Sequence, residues 1–257
     1  MQVVILAGGR GTRISEESAV RPKPMIEVGG MPLLWHIMKI YSFFGLNDFI
    51  ICLGYKGYVI KEYFSNYVLH HSDITVDMKQ NRIQYHSNNT ENWRVTLVET
   101  GLDTMTGGRL KRIEPYLNKD EPFCMTYGDG LSDINITDLI NFHKKQKKEA
   151  TVTAVYPSGR FGALKLSDTD VVDFTEKPNT GDESVNGGFF VLEPRVLHRI
   201  DGDQSTWEDE PLKTLTKERQ LAAYRHNGFW QPVDTLREKE MVCSMWERND
   251  APWKKWL

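Results

Sequence analysis

The segment LAGGRGTR, Leu6 to Arg13, follows directly on a β-branched run that begins at Gln2, and it constrains the fold more than any other stretch. A strand ending in a glycine-rich turn brings bare backbone to the carboxyl end of a sheet, where open α/β folds bind their ligands. Gly8, Gly9 and Gly11 remove side chains where main-chain N–H groups must approach an anion, and Arg10 and Arg13 add positive charge. The segment reads as a phosphate-cradling turn. It is not a complete dinucleotide fingerprint, because Gly9-x-Gly11-x-x-Ile14 lacks the third glycine and the polar stretch SEESAVRPKP stands where the helix would start. No GxxxxGK[ST] loop occurs either. The competing reading is a plain strand-to-loop turn with two solvated arginines.

Periodicity downstream supports an α/β fold. Leu33, Leu34, Ile37, Met38 and Tyr41 have helical spacing within 32–44, DFIICL at 48–53 reads as a buried strand, 56–68 as a helix and 94–98 as a third strand. Alternation over 74–85 suits a small inserted hairpin. Then follow a helix over 107–117, a strand over 122–127, a helix over 136–148 and a strand over 151–156. Beyond these come turn-separated strands at 163–166, 171–175 and 188–192, a short helix near Val196, a helix from Trp207 capped by Thr206, a strand over 221–224 and a helix over 235–247. This order predicts one continuous α/β domain over 1–257, a mostly parallel central sheet flanked by helices, with more antiparallel strands after about residue 156.

Charge and composition exclude several partners. Lys and Arg number 32 against 35 Asp and Glu, a net charge of −3, so there is no basic excess for a nucleic-acid backbone and no polybasic stretch for a membrane. The lysine-rich run at 144–148 reads as a solvated helix end. With 40% hydrophobic and 26% charged residues the chain suits a soluble globular protein. Cys52, Cys124 and Cys243 lie in apolar surroundings without a CxxC pair, as buried free thiols of a reducing cytosol do. Val3 to Ala7 has no basic residue before it and glycines after it, which fits a strand and not a signal peptide.

Three further features carry chemistry. In Arg21-Pro22-Lys23-Pro24 the prolines hold an extended backbone and aim Lys23 with little entropy to lose. YGDG at 127–130 follows a buried strand, so Asp129 emerges at the carboxyl end of the sheet, either as a ligand residue or as a turn former. Asp234 precedes the last helix, as a ligand residue or as its N-cap. GxSxG, HExxH and paired Cys/His signatures are absent, which removes the usual marks of a nucleophilic hydrolase or zinc enzyme.

LAGGRGTR followed by RPKPMIEVGGMPLLWHI resembles the signature of the sugar-nucleotidyltransferase family, which joins a nucleoside triphosphate to a sugar 1-phosphate. MTGGRLKR, YGDG, GRFGAL, FTEKP, NGGFFVL, TWEDEPL and FWQPVDT extend the resemblance in order over nearly the whole chain. Where uridylyl and thymidylyl relatives carry a Gln-Pro-x-Gly-x-Ala-like segment, this chain has TGLDTMTGGRL, which resembles the cytidylyl branch.

The resemblance implies a Rossmann-like, GT-A-like fold and a reaction of CTP with α-D-glucose 1-phosphate that yields CDP-glucose and pyrophosphate, in the cytoplasm, toward deoxysugars of surface polysaccharide such as lipopolysaccharide O-antigen. It places Leu6, Ala7, Gly8, Gly9, Arg10, Gly11, Thr12, Arg13, Lys23 and Gly128 on the nucleotide, with Thr104 and Arg109 also around it. Arg109 has a rival reading as a helix-surface cation beside Lys111 and Arg112. Arg13, Lys23 and Asp129 are the implied catalytic residues, and Asp129 and Asp234 the implied ligands of one Mg²⁺. Glu176 is implied on the sugar hydroxyls and Lys177 on the sugar phosphate, against a plain surface Glu-Lys pair, and Asn186 and Gly188 stand beside the sugar or in a simple Asn-Gly turn. Trp230 would stack on the sugar ring or fill the core. A homo-oligomer, a hexamer in the family, is implied, with Trp246, Trp253 and Trp256 as a candidate interface. Against this stand a UTP- or dTTP-using sibling and a non-catalytic nucleotide-binding paralogue. A glycosyltransferase is disfavoured because YGDG supplies no DxD.

Overall fold

The computed structural model describes residues 1–18, 20–87, 90–156, 163–167, 170–175 and 184–256, with residues 13, 15, 16, 163–167 and 170–175 described by their backbone alone. The strands are β1 (Val3–Leu6), β2 (Glu27–Val28), β3 (Met31–Pro32), β4 (Asp48–Leu53), β5 (Ile74–Asp77), β6 (Arg82–Tyr85), β7 (Arg94–Glu99), β8 (Phe123–Tyr127), β9 (Gly130–Ser132), β10 (Ala150–Val155), β11 (Ala163–Ser167), β12 (Asp170–Thr175), β13 (Val185–Leu192), β14 (Leu221–His226) and β15 (Trp230–Pro232). The helices are α1 (Ser15–Ser18), α2 (Leu33–Phe43), α3 (Gly57–Ser65), α4 (Tyr67–His70), α5 (Thr106–Arg112), α6 (Ile136–Gln146), α7 (Glu210–Lys217) and α8 (Leu236–Glu247).

Seven strands form one sheet in the order β14-β10-β13-β8-β1-β4-β7. β1 runs parallel to β4 and β8, β4 to β7, and β10 to β14, while β13 inserts antiparallel between β8 and β10. The chain builds outward from β1 through β4 to β7, then returns to the other side of β1 with β8. That reversal makes a topological switch point between β1 and β8, where a crevice opens at the strands' carboxyl ends.

Both faces of the sheet are covered, which explains the unbroken apolar runs of the central strands. Val3, Ile5, Phe49, Ile51, Phe189 and Val191 face one core with Leu34, Ile37 and Tyr41 of α2 and Val242 of α8. Val4, Leu6, Ile50, Cys52, Phe190 and Leu192 face the other with Leu110 of α5, Trp207 and Leu215 of α7. Cys52 and Cys124 are fully buried, and burial pushes both thiols up to about 12, so they stay protonated at neutral pH, whereas Cys243, also expected to be buried, is only partly so. Among the described residues no helix is long and apolar enough to cross a membrane.

Several elements differ from the sequence-based expectation. The helix expected over 56–68 is two pieces, α3 and α4, and the one over 107–117 ends at Arg112 before a 3-10 turn at Glu114–Tyr116. Thr206 does not cap α7, because a turn over 207–209 intervenes and the helix begins only at Glu210. The Lys23 segment is not extended throughout: Pro22 is, but Lys23–Met25 closes one 3-10 turn, which Pro24 tolerates because the first N–H groups of a helical turn are unbonded anyway. Of the three C-terminal tryptophans only one is wholly core, while the other two stay half-buried and remain a candidate interface. Trp253 is fully buried, and Trp246 and Trp256 pack edge-on against Trp35.

Candidate active site

The turn after β1 is fixed on both sides by backbone bonds. Ala7 N–H donates to Cys52 O at 3.0 Å, Tyr55 N–H to Gly8 O at 3.1 Å and Gly128 N–H to Leu6 O at 3.1 Å, so the glycines sit between the ends of β4 and β8. Gly11 has φ +63°, the left-handed region glycine adopts without strain. Gly8 is needed for a different reason. A Cβ there would lie 2.1 Å from Nη1 of Arg109, so the guanidinium occupies the space a side chain would fill.

Arg109 is buried within α5, and its acceptors are Leu53 O at 3.0 Å, Thr100 Oγ1 at 2.8 Å, Gly101 O at 2.8 Å, Gly8 O at 3.1 Å and Leu102 O at 3.4 Å. It is therefore not the helix-surface cation of the rival reading. Its fork ties together the loops after β1, β4 and β7, and burial holds its pKa below the ordinary arginine value.

In the same cleft, with its stem packed beside Gly11, Lys23 Nζ lies 2.6 Å from Asp129 Oδ2 and 2.5 Å from Asp234 Oδ1. Burial opposes its charge, but the two carboxylates outweigh that and raise its pKa above the ordinary value. Backbone pairing produces this convergence: β15 runs antiparallel to β9, and Val233 N–H donates to Asp129 O at 2.9 Å. Asp234 does not cap α8. Thr235 does, in a capping box with Glu238, whose carboxylate also accepts from the Asp234 N–H at 2.8 Å. The Asp234 carboxylate meets Lys23 instead.

These residues line a cleft of about 400 Å³ together with Leu6, Ala7, Gly9, Gly11, Thr12, Thr104 and Gly128. Asn186 and Gly188 line an adjoining cavity of about 270 Å³, which shares Asp129 and Asp234 with the first and includes Trp230. The Trp230 indole N–H donates to Gly187 O at 2.7 Å. Arg10 is not on the cleft wall and pairs with the exposed Asp103 at 2.7 Å. Glu176, Lys177 and the Arg13 side chain lie outside the described residues. Sequence reasoning missed Pro24, Met105, Thr106 and Tyr127, which also line the cleft. Tyr127 read as the last residue of a buried strand; its place just before Gly-Asp-Gly at the sheet's carboxyl end was the available signal.

A cavity that combines a bare glycine turn with two carboxylates around a cation suits a polyphosphate chain bound with a divalent ion. Residues 2–238 match the nucleotidyl transferase family model. The chain is 57% identical over 256 residues to the glucose-1-phosphate cytidylyltransferase of Salmonella typhi, with both chains covered in full. It is 46% identical over 257 residues, again covering both in full, to the probable glucose-1-phosphate cytidylyltransferase of Bacillus subtilis (strain 168). Among solved structures, HddC from Yersinia pseudotuberculosis shares the fold with a TM-score of 0.69 at 23% identity, covering 95% of this chain and 99% of that one. A family model spanning nearly the whole chain and a full-length relative sharing more than half its residues leave one conclusion: the chain belongs to the nucleotidyl transferase family.

Proposed function

We propose that the chain transfers a cytidylyl group from CTP to α-D-glucose 1-phosphate, giving CDP-glucose and pyrophosphate. The full-length likeness to glucose-1-phosphate cytidylyltransferases supports the substrate pair. The observation that carries the chemistry is the meeting of Lys23, Asp129 and Asp234 where the two cavities join.

A sugar phosphate has a second pKa of about 6, so its oxygen is largely dianionic at neutral pH and needs no general base. That oxygen attacks the α-phosphorus of CTP, the new O–P bond forms as the bond to the bridging oxygen breaks, and pyrophosphate leaves with the electron pair. The barrier is repulsion between polyanions, so cations and alignment lower it. In this reading the glycine turn and Arg13 hold the triphosphate, and Lys23 neutralises charge near the α-phosphate. Asn186, Gly188, Glu176 and Lys177 take the sugar phosphate.

Mg²⁺ fits the same place. Two carboxylates already converge on one cation, the Lys23 ammonium standing in, and a hard divalent ion takes such a pair with phosphate oxygens and water completing its shell. Asp129 and Asp234 would hold it, and bound there it would supply charge neutralisation at the phosphates. Assembly of identical chains belongs to the same reading, and light scattering in solution tests it.

The deciding assay is Mg²⁺-dependent pyrophosphate release for each nucleoside triphosphate paired with a panel of sugar 1-phosphates. CTP with glucose 1-phosphate is expected to be fastest; preference for UTP or dTTP would overturn the cytidylyl assignment. Lys23→Ala and Asp129→Asn should each lower kcat by about a hundredfold or more. Full activity of either at saturating Mg²⁺ would remove that residue from the mechanism.

A further inference from the structure

Glu208, in the TWEDEPL segment, takes no part in the chemistry above, yet hydroxyls from the site's walls occupy both of its carboxylate oxygens. The Tyr127 hydroxyl donates to Oε1, and Thr106 Oγ1 donates to Oε2 at 2.6 Å. The direction of each bond is fixed by its neighbours. Thr106 Oγ1 accepts from the Trp207 N–H at 2.9 Å, so its own proton goes to Glu208. Tyr127 Oη accepts from Asn186 Nδ2 at 3.5 Å, so its proton also goes to Glu208, a group that only accepts when ionised.

Both hydroxyls belong to residues that line the nucleotide cleft, and Tyr127 alone of the two also reaches the adjoining cavity. Thr106 opens α5, the helix that carries Arg109 on the nucleotide cleft. Tyr127 is the partition, lining both the cleft and the adjoining cavity. Gly188, at φ +78°, comes so close to its ring that a Cβ would lie 2.7 Å from Cδ2. On the far side the Asn186 amide is oriented twice: its Nδ2 donates to Tyr127, and its Oδ1 accepts from Gly188 N–H at 2.8 Å. That leaves one N–H and one carbonyl lone pair of an exposed amide for a sugar hydroxyl.

We propose that Glu208 is a positioning residue for the sugar phosphate: through Tyr127 it fixes the Asn186 amide, and through Thr106 it keeps that amide in register with the nucleotide cleft. This rests on the reading of the two cavities as nucleotide and sugar-phosphate subsites. The geometry gives it a signature that general destabilisation would not produce. Glu208→Gln offers an NH₂ where one hydroxyl needs an acceptor, and Tyr127→Phe removes the link while keeping the ring.

The test is steady-state kinetics of the full chain with glucose 1-phosphate varied at saturating CTP, and the reverse, for wild type, both single variants and the double variant. Each single variant should raise KM for glucose 1-phosphate about fivefold, the scale of one lost hydrogen bond, with KM for CTP unchanged. Because the two residues act along one path, the double variant should be no worse than the poorer single one. Equal rises in both KM values, no rise in either, or additive losses would overturn the inference. Tyr127→Phe deletes one oxygen only, so it decides the matter alone if Glu208→Gln does not fold. Wild-type turnover of CTP with glucose 1-phosphate separates the two levels: its absence sinks the functional reading, whereas its presence with unaltered variants sinks only the role of Glu208.

Discussion

Arg109 is a buried cation whose acceptors are main-chain carbonyls and one hydroxyl, none of them a carboxylate. The planar fork of a guanidinium can serve five acceptors spread around it, whereas an ammonium on a flexible stem offers three donors from one point. Arg109→Lys should therefore leave carbonyls of the cleft floor without donors. We expect a loss of about 2 kcal/mol or more in urea denaturation, and a raised KM for CTP with KM for glucose 1-phosphate little changed. Unchanged stability would mean that the carbonyls find water instead. Nothing in MTGGRLKR distinguishes Arg109 from Lys111 and Arg112, because its burial depends on loops at Gly8, Leu53 and Gly101 that are distant in the chain. Lys23 and Asp129 were legible, since each rests on a short local pattern of proline or glycine.

At the level of elements, strand β8 and its turn aim the chemistry. Gly128 leaves room for Pro24: a Cβ there would lie 2.7 Å from the proline Cγ and 3.1 Å from Leu6 O. A proline ring has no flexible end to move aside, so Gly128→Ala should shift the Lys23–Met25 turn away from Asp129. Misplacement of a catalytic group by about 1 Å costs up to a hundredfold, and kcat should fall on that order while the fold survives. Retained kcat with an unmoved Lys23 in a crystal structure of the variant would contradict this. The end of α8 gives a milder case. Thr235→Ala breaks the capping box and should cost about 1 kcal/mol of stability, read in thermal melts. Asp234 was legible only as a choice between cap and ligand. The pairing of β9 with β15 decides it, and two three-residue strands so far apart in sequence leave no periodic signal.

Across the whole molecule, the C-terminal segment packs against α2 through its tryptophans. Apolar residues in a terminal segment read equally well as interface or core, and only their burial separates the two. The contact is built around His36, which is wholly buried, with Trp35, Trp246 and Trp253 ring centroids at 5.1, 4.7 and 6.2 Å. His36 Nε2 lies 2.8 Å from Val28 O, which can only accept, so Nε2 carries the proton; Nδ1 then accepts from the Trp253 indole N–H at 3.4 Å. Protonating Nδ1 would set two donors against each other in an apolar pocket. Burial accordingly lowers the His36 pKa from 6.5 to about 4. Its folded value lies below the unfolded one, so the unfolded chain binds more protons between these limits, and stability falls as pH drops from about 6.5 toward 4. At pH 5 the loss from this one group is on the order of 2 kcal/mol. His143, whose pKa burial also lowers, adds a contribution of the same sign from the other end of the sheet. Urea titrations at pH 7.5 and pH 5, followed by tryptophan fluorescence, should show the drop. His36→Gln should be less stable than wild type at pH 7.5 but should lose a smaller increment on acidification, with His143 supplying what remains. An increment as large as that of wild type would place the acid sensitivity outside the tryptophan cluster.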